Sequence, residues 1–207
     1  MHNANASHLD ALLPKFPHNA IICGKTRSGK TYHILNIIEK YYKNAFDHIF
    51  IICPTFYDNK TYNRPWLKDC KIYPGDLVST LEILIKNHSK GGKFATKKSL
   101  IIIDDCSADK DLNKHRTALS QIAFSGRHCN LTTWFLSQRY VSVPKDFRDN
   151  IDWVLITKNA CKKSFELMVN ENDIIPSDHH SEIKRGLVNT YMLFMNVDQG
   201  KYIILTK

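Results

Sequence analysis

Apolar positions along this chain follow two rhythms. Short unbroken runs, such as Ala20-Ile21-Ile22-Cys23, Ile49-Phe50-Ile51-Ile52 and Leu100-Ile101-Ile102-Ile103, alternate with longer stretches. In those stretches apolar residues recur every three or four positions, as at Ile34, Leu35, Ile37, Ile38, Tyr41 and Tyr42. An unbroken run suits a strand covered on both faces, because both sides of the pleat then need apolar side chains. The wider spacing puts apolar side chains on one stripe of a helix. The patterns predict strands near 19–23, 47–53, 99–104, 131–137 and 151–156, and helices over about 29–43, 76–88, 110–125 and 160–169. Such alternation predicts an α/β fold, a mainly parallel sheet with helices on both faces. Near the end, Tyr191–Met195 and Tyr202–Leu205 flank Asp198-Gln199-Gly200, the pattern of a closing antiparallel hairpin. Without repeats, low-complexity segments or long linkers, the 207 residues are expected to form one domain.

The junction of the first strand and first helix carries the clearest chemistry. Gly24-Lys25-Thr26-Arg27-Ser28-Gly29-Lys30-Thr31 fits the phosphate-binding pattern G-x-x-x-x-G-K-[ST]. Gly24 and Gly29 free the backbone to wrap an anion, and the N–H groups of the loop and of the helix N-terminus point at it. Lys30 is placed to reach the outer phosphates, and the Thr31 hydroxyl to ligate Mg²⁺.

Further along, Leu100-Ile101-Ile102-Ile103-Asp104-Asp105 is an apolar strand ending in two carboxylates. Asp104 is suited to the Mg²⁺ shell, and Asp105 to the role of general base toward an attacking water. The strand over 131–137 ends at Gln138, which is expected at the same carboxyl edge of the sheet. From that edge an amide can contact the γ-phosphate or the water.

Composition narrows the setting. A net charge of +9 and a pI near 9.2 favour a polyanionic partner, nucleic acid first. No apolar run approaches the roughly 18 residues of a membrane span, and the N-terminus lacks the layout of a signal peptide, so an intracellular protein is expected. Six cysteines, Cys23, Cys53, Cys70, Cys106, Cys129 and Cys161, form no C-x-x-C pair and are read as reduced, mostly buried thiols.

The ordered set Asn19-Ala20-Ile21-Ile22, Ile52-Cys53-Pro54-Thr55, Ile103-Asp104-Asp105, Gly126-Arg127-His128 and Leu136-Ser137-Gln138 resembles the viral genome-packaging ATPases of the FtsK–HerA superfamily. The resemblance is to the poxvirus-type branch, shared by large DNA viruses and virophages. It extends over roughly residues 17–157 and includes Val143-Pro144-Lys145-Asp146-Phe147-Arg148. It implies a three-layer, RecA-like P-loop NTPase that uses ATP and Mg²⁺. It further implies a homo-oligomeric ring, a pentamer or hexamer, that pumps double-stranded DNA into a preformed capsid at a vertex or portal. The setting it implies is the virus factory or host cytoplasm, or association with the virion. Under the resemblance Lys30 and Thr31 hold phosphate and metal, Asp104 the metal shell and Asp105 the water, while Gln138 is the sensor. Arg127 matches an arginine finger that completes a neighbouring subunit's site, with Arg148 as second choice. Asp105 departs from the superfamily at large, where glutamate is commoner.

Two segments are candidates for DNA contact: the lysines 86, 90, 93, 97 and 98 around Gly91-Gly92, read as a mobile stretch, and Arg139, Lys145 and Arg148 after the sensor. The alternatives are a cellular-type DNA translocase or helicase of the same superfamily, and a nucleoside or nucleotide kinase. The short chain leaves little room for an extra DNA-processing or membrane-anchoring domain, and the later arginines are too scattered for a kinase lid.

Overall fold

The computed structural model describes residues 6–42, 44–106, 112–158, 160–188 and 191–206. Eight strands form one sheet: β1 Asn19–Cys23, β2 His48–Ile52, β3 Lys71–Tyr73, β4 Ser99–Ile103, β5 Leu131–Ser137, β6 Trp153–Ile156, β7 Tyr191–Asn196 and β8 Lys201–Thr206. Their order across the sheet is β3-β2-β4-β5-β1-β6-β7-β8. Every pairing from β3 through to β6 is parallel, and β6-β7-β8 closes the sheet antiparallel. Strands β1, β4, β5 and β6 are buried at every position, β5 including the polar Thr132, Thr133 and Ser137.

The helices are α1 Ala6–Leu12, α2 Lys30–Ile37, α3 Leu77–His88, α4 Leu112–Ser125, α5 Lys145–Arg148, α6 Lys162–Asn172 and α7 Ser177–Leu187. They cover both faces. On one face Leu9, Leu12, Ile34, Leu35 and Ile38 pack on Ile22, Ile102, Trp134 and Trp153. On the other, Leu81, Leu84, Leu119, Ile122, Phe165 and Ile183 pack on Ile21, Phe50, Ile101 and Phe135. Alternate residues of each strand feed the two cores, which makes a three-layer sandwich. None of the described helices is long and apolar enough to cross a membrane. Of the six cysteines, none in a disulfide among the described residues, Cys23, Cys53 and Cys106 are buried and the other three half-buried.

Several expectations need adjustment. The helix expected over 29–43 is regular only to Ile37, and its last turn widens into a π-turn over Ile38–Tyr42. Helix α4 is described from Leu112; the expected start at 110 lies outside the described residues. The periodicity did not announce β3, a three-residue edge strand that is half-buried throughout, or α7, whose buried stripe is Ile183 and Leu187.

The stretch read as mobile is a chain of hydrogen-bonded turns: Gly92 N donates to Ser89 O, Ala95 N to Gly92 O and Lys97 N to Phe94 O. Phe94 is buried and anchors it, its ring 4.8 Å from that of His48 and 5.8 Å from that of Phe50. A Cβ on Gly92 would stand 2.4 Å from Asn87 O, so glycine is required there by close approach rather than for mobility.

Candidate functional site

Strand β1 ends at Cys23, and the loop that follows is fastened to both neighbouring strands. Gly24 N donates to Ser137 O at 3.1 Å, and Thr157 N to Cys23 O at 2.8 Å. The two glycines of the loop serve different ends. Gly29 has φ +89°, the left-handed region that glycine enters without strain, and it caps α2. Gly24 is needed for space, since a Cβ there would stand 1.9 Å from Thr157 Oγ1. That hydroxyl is committed, bonding Ser28 Oγ at 2.6 Å and Cys23 O at 3.2 Å. Arg27 supplies a second left-handed turn at φ 62°. Lys30 Nζ lies along the loop, donating to Gly24 O at 2.9 Å and Lys25 O at 3.3 Å. Burial lowers its pKa, an effect opposed by the charges of Asp104, Cys23 and Asp105.

The acidic pair meets this loop from β4. Asp104 N donates to Ile52 O, which carries the sheet one residue past Ile103 and aims the carboxylate at α2. Asp104 Oδ2 accepts hydrogen bonds from Thr31 Oγ1 at 2.7 Å and from Tyr62 Oη at 2.6 Å. Burial raises the Asp104 pKa; the bonds from Tyr62 and Thr31 and the charge of Lys30 work against that rise. Asp105 takes φ 57° and turns outward, its Oδ2 accepting from Thr55 Oγ1 at 3.0 Å.

A cleft of about 650 Å³ opens between the phosphate loop and the segment after β2, lined by Arg27, Lys30, Thr31 and Tyr32 on one side and Thr55, Asp58, Asn59, Lys60 and Thr61 on the other. The second wall is pinned by Arg64, which donates to Glu39 Oε2 and Asn36 Oδ1, each at 2.8 Å.

The structure therefore brings Lys30, Thr31, Asp104 and Asp105 into one site. Gln138 is exposed and follows Ser137, the residue bonded to Gly24, so its backbone adjoins the loop. Arg127 is elsewhere. It precedes β5, at the amino edge of the sheet, and pairs with Asp152 at 2.8 Å, where it stays about half exposed. It cannot serve its own chain's cleft, since β5 runs about 23 Å between them. Arg148 is held more tightly, 11% exposed, pairing with Glu171 at 2.9 Å and donating to Val143 O. Tyr62, Thr157 and the wall over 55–61 were missed as site elements. Tyr62 and Thr157 carry no motif, and only Thr55 belonged to a recognised segment.

The Thr31 hydroxyl and Asp104 carboxylate form an all-oxygen donor pair of the kind Mg²⁺ takes alongside phosphates and water, so these residues fit that ion. A phosphate loop, an acidic strand and an intervening β5 together define a P-loop NTPase. Within that class the family model described as "Poxvirus A32 protein" matches residues 8–206, and the chain belongs to that family. DNA packaging protein OPG160 of variola virus is 30% identical over 150 residues, 67% of this chain and 52% of the relative. Its monkeypox virus counterpart is 31% identical over 158 residues, 67% and 47% of the two chains. This chain spans about half the length of the curated relatives it matches.

Among solved structures, the DNA-packaging ATPase B204 of Sulfolobus turreted icosahedral virus aligns with a TM-score of 0.66 at 16% identity, covering 93% of this chain and 98% of that one. The pCW3 conjugation coupling protein TcpA, solved with ATPγS, aligns at 0.65 and 16% identity over 93% and 60%. At these identities the likeness is one of fold.

Proposed function

We propose that this chain is an ATP-hydrolysing DNA translocase that packages double-stranded viral DNA into a preformed capsid, working as a homo-oligomeric ring. The observation that carries the ATPase reading is the Lys30–Thr31–Asp104–Asp105 constellation beneath the cleft. Family membership and the names of the packaging relatives carry the DNA reading.

ATP would lie with its phosphates on the N–H groups of residues 24–31, and Lys30 would neutralise charge on the outer two. Thr31 and Asp104 would hold Mg²⁺, which when bound offsets phosphate charge. Tyr62 would keep the Asp104 carboxylate oriented. Asp105, steadied by Thr55, would accept a proton from the attacking water, and Gln138 would orient that water or sense the γ-phosphate. The outward turn of Asp105 supports this division of labour, since its shorter arm stays within reach of the cleft wall.

For the trans arginine, Arg127 remains the candidate because it is the more exposed of the two. A finger of this kind contributes about a thousandfold or more in rate. Removing Arg127 also unpairs Asp152, so loss of activity alone proves nothing. Mixing is cleaner. Lys30→Ala subunits, blind to ATP but carrying the arginine, should restore hydrolysis to Arg127→Ala subunits. Failure of the mixture under ring-forming conditions would reject the role.

The primary test is steady-state hydrolysis with Mg²⁺, with and without long double-stranded DNA, against Lys30→Ala. Hydrolysis lost in that variant and raised by DNA is expected; hydrolysis indifferent to DNA would remove the motor reading and leave the phosphate site standing.

A further inference from the structure

The parallel strands have two ends, and the cleft occupies one. At the other, the amino edge of β3-β2-β4, cations gather. Lys71 opens β3, His48 opens β2, and Lys97-Lys98 lead into β4. Lys90 and Lys93 lie on the turn chain just before them, and Lys90, Lys93, Lys97 and Lys98 are all exposed. Lys71 Nζ and Lys93 Nζ sit 4.2 and 5.5 Å from the centroid of the same ring, Phe94. Asp47 and Asp69 are the acids beside them, sharing one pocket, and Asp47 meets Lys97 only at 3.9 Å with both side chains exposed. Among the described residues, Lys90, Lys93 and Lys98 make no ion pair.

The crowding registers on the groups themselves. Burial first, then Lys93, lowers the Lys71 pKa; burial, Lys71, Lys97 and Lys93 lower that of His48, with Asp47 opposing.

A protein that gathers like charges on turns pinned by a buried phenylalanine holds them against their mutual repulsion, and a polyanion relieves that repulsion. In the rival segment after the sensor Lys145 is paired with Asp149 at 2.6 Å and Arg148 with Glu171, which leaves Arg139 as its one exposed cation without an ion pair among the described residues.

We propose that the amino edge of β3-β2-β4, through Lys71, Lys90, Lys93, Lys97 and Lys98, is the surface that grips the phosphate backbone of double-stranded DNA. The inference deepens the motor reading and rests on it. Its contacts are to phosphates, so it takes any sequence. Strands β2 and β4 start at this face, run about 17 Å and lead at their other ends into Thr55 and the Asp104-Asp105 pair, so DNA and nucleotide bind at opposite ends of the same strands without competing.

The test is fluorescence anisotropy of a labelled duplex across a salt series, comparing the parent with K90Q/K93Q/K97Q/K98Q. A control, K162Q/K163Q/K184Q/K201Q, removes the same charge from α6, α7 and β8. The edge variant should show a log K against log salt slope shallower by about 3 to 4, near 0.9 for each phosphate no longer neutralised. The control should keep the parental slope, and ATP without DNA should be hydrolysed equally by all three. Equal slopes in edge variant and parent, or equal losses in edge variant and control, overturn the face while the parent's own binding leaves the motor reading intact. A parent that shows no salt-dependent binding overturns both.

Discussion

Gly24→Ala tests the close approach of the phosphate loop to Thr157. The new Cβ would lie 1.9 Å from Thr157 Oγ1, 2.7 Å from Ser28 Oγ and 3.2 Å from Thr157 Cβ. An ordinary contact is about 3.5 Å, so loop and threonine must part by roughly 1.5 Å. Ser28 can rotate. Thr157 cannot yield easily, being fully buried and bonded to Cys23 O through both its N–H and its hydroxyl. Overpacking of this kind costs about 1–3 kcal/mol, and breaking the hydroxyl's hydrogen bonds adds about 1. A total near 3 kcal/mol lowers Tm by about 6–12 °C for a chain of this size.

The assay is a double-mutant cycle by thermal melting, with binding of a fluorescent ATP analogue alongside. Thr157→Ala alone should cost about 1 kcal/mol, and in the double variant it removes the clash. The coupling should then exceed about 1.5 kcal/mol and nucleotide binding should return in part. Gly29→Ala serves as the contrast. Its penalty, about 1–2 kcal/mol, comes from φ +89° and should be indifferent to Thr157. Additive effects of Gly24→Ala and Thr157→Ala, or rescue of Gly29→Ala by Thr157→Ala, would refute the distinction between the two glycines.

Tyr62→Phe keeps the ring packed on Phe56 and deletes the hydroxyl that bonds Asp104 at 2.6 Å and also meets the Cys53 thiol. It should cost about 1–3 kcal/mol in stability and weaken Mg²⁺ activation of hydrolysis by about 10–100-fold, read from a Mg²⁺ titration; an unmoved half-saturation point would dismiss Tyr62 as an orienting group. His18 is buried, accepts from Trp134 Nε1 at 3.0 Å, and has its pKa lowered by burial from 6.5 to about 4. Between those values the unfolded chain binds a proton that the folded chain refuses. His18 therefore withdraws up to about 3 kcal/mol of stability as pH falls from 6.5 to 4. His18→Gln should flatten that limb in urea melts, and parallel pH profiles for parent and variant would count against it.

Sequence alone determined what is local. Unbroken apolar runs announced the buried strands, because a strand covered on both faces takes apolar side chains at most of its positions. The spacing of Gly29, Lys30 and Thr31 fixed the start of α2, because loop and helix N-terminus are contiguous. The family was legible for the same reason, in short motifs whose order survives in one dimension. Tertiary structure decided the remainder, because contacts between distant residues leave no periodic trace. Tyr62 reaches Asp104 across 42 positions and Thr157 constrains the loop across more than a hundred, with no pattern to join them. Edge strand β3, three half-buried residues, has neither an apolar run nor an alternation long enough to read. The side of the sheet a residue occupies is likewise a matter of strand direction. Hence Arg127, adjacent in sequence to the sensor strand, stands at the far end from the phosphate loop, and the lysines after α3 form one charged face with Lys71 only once β2, β3 and β4 lie parallel.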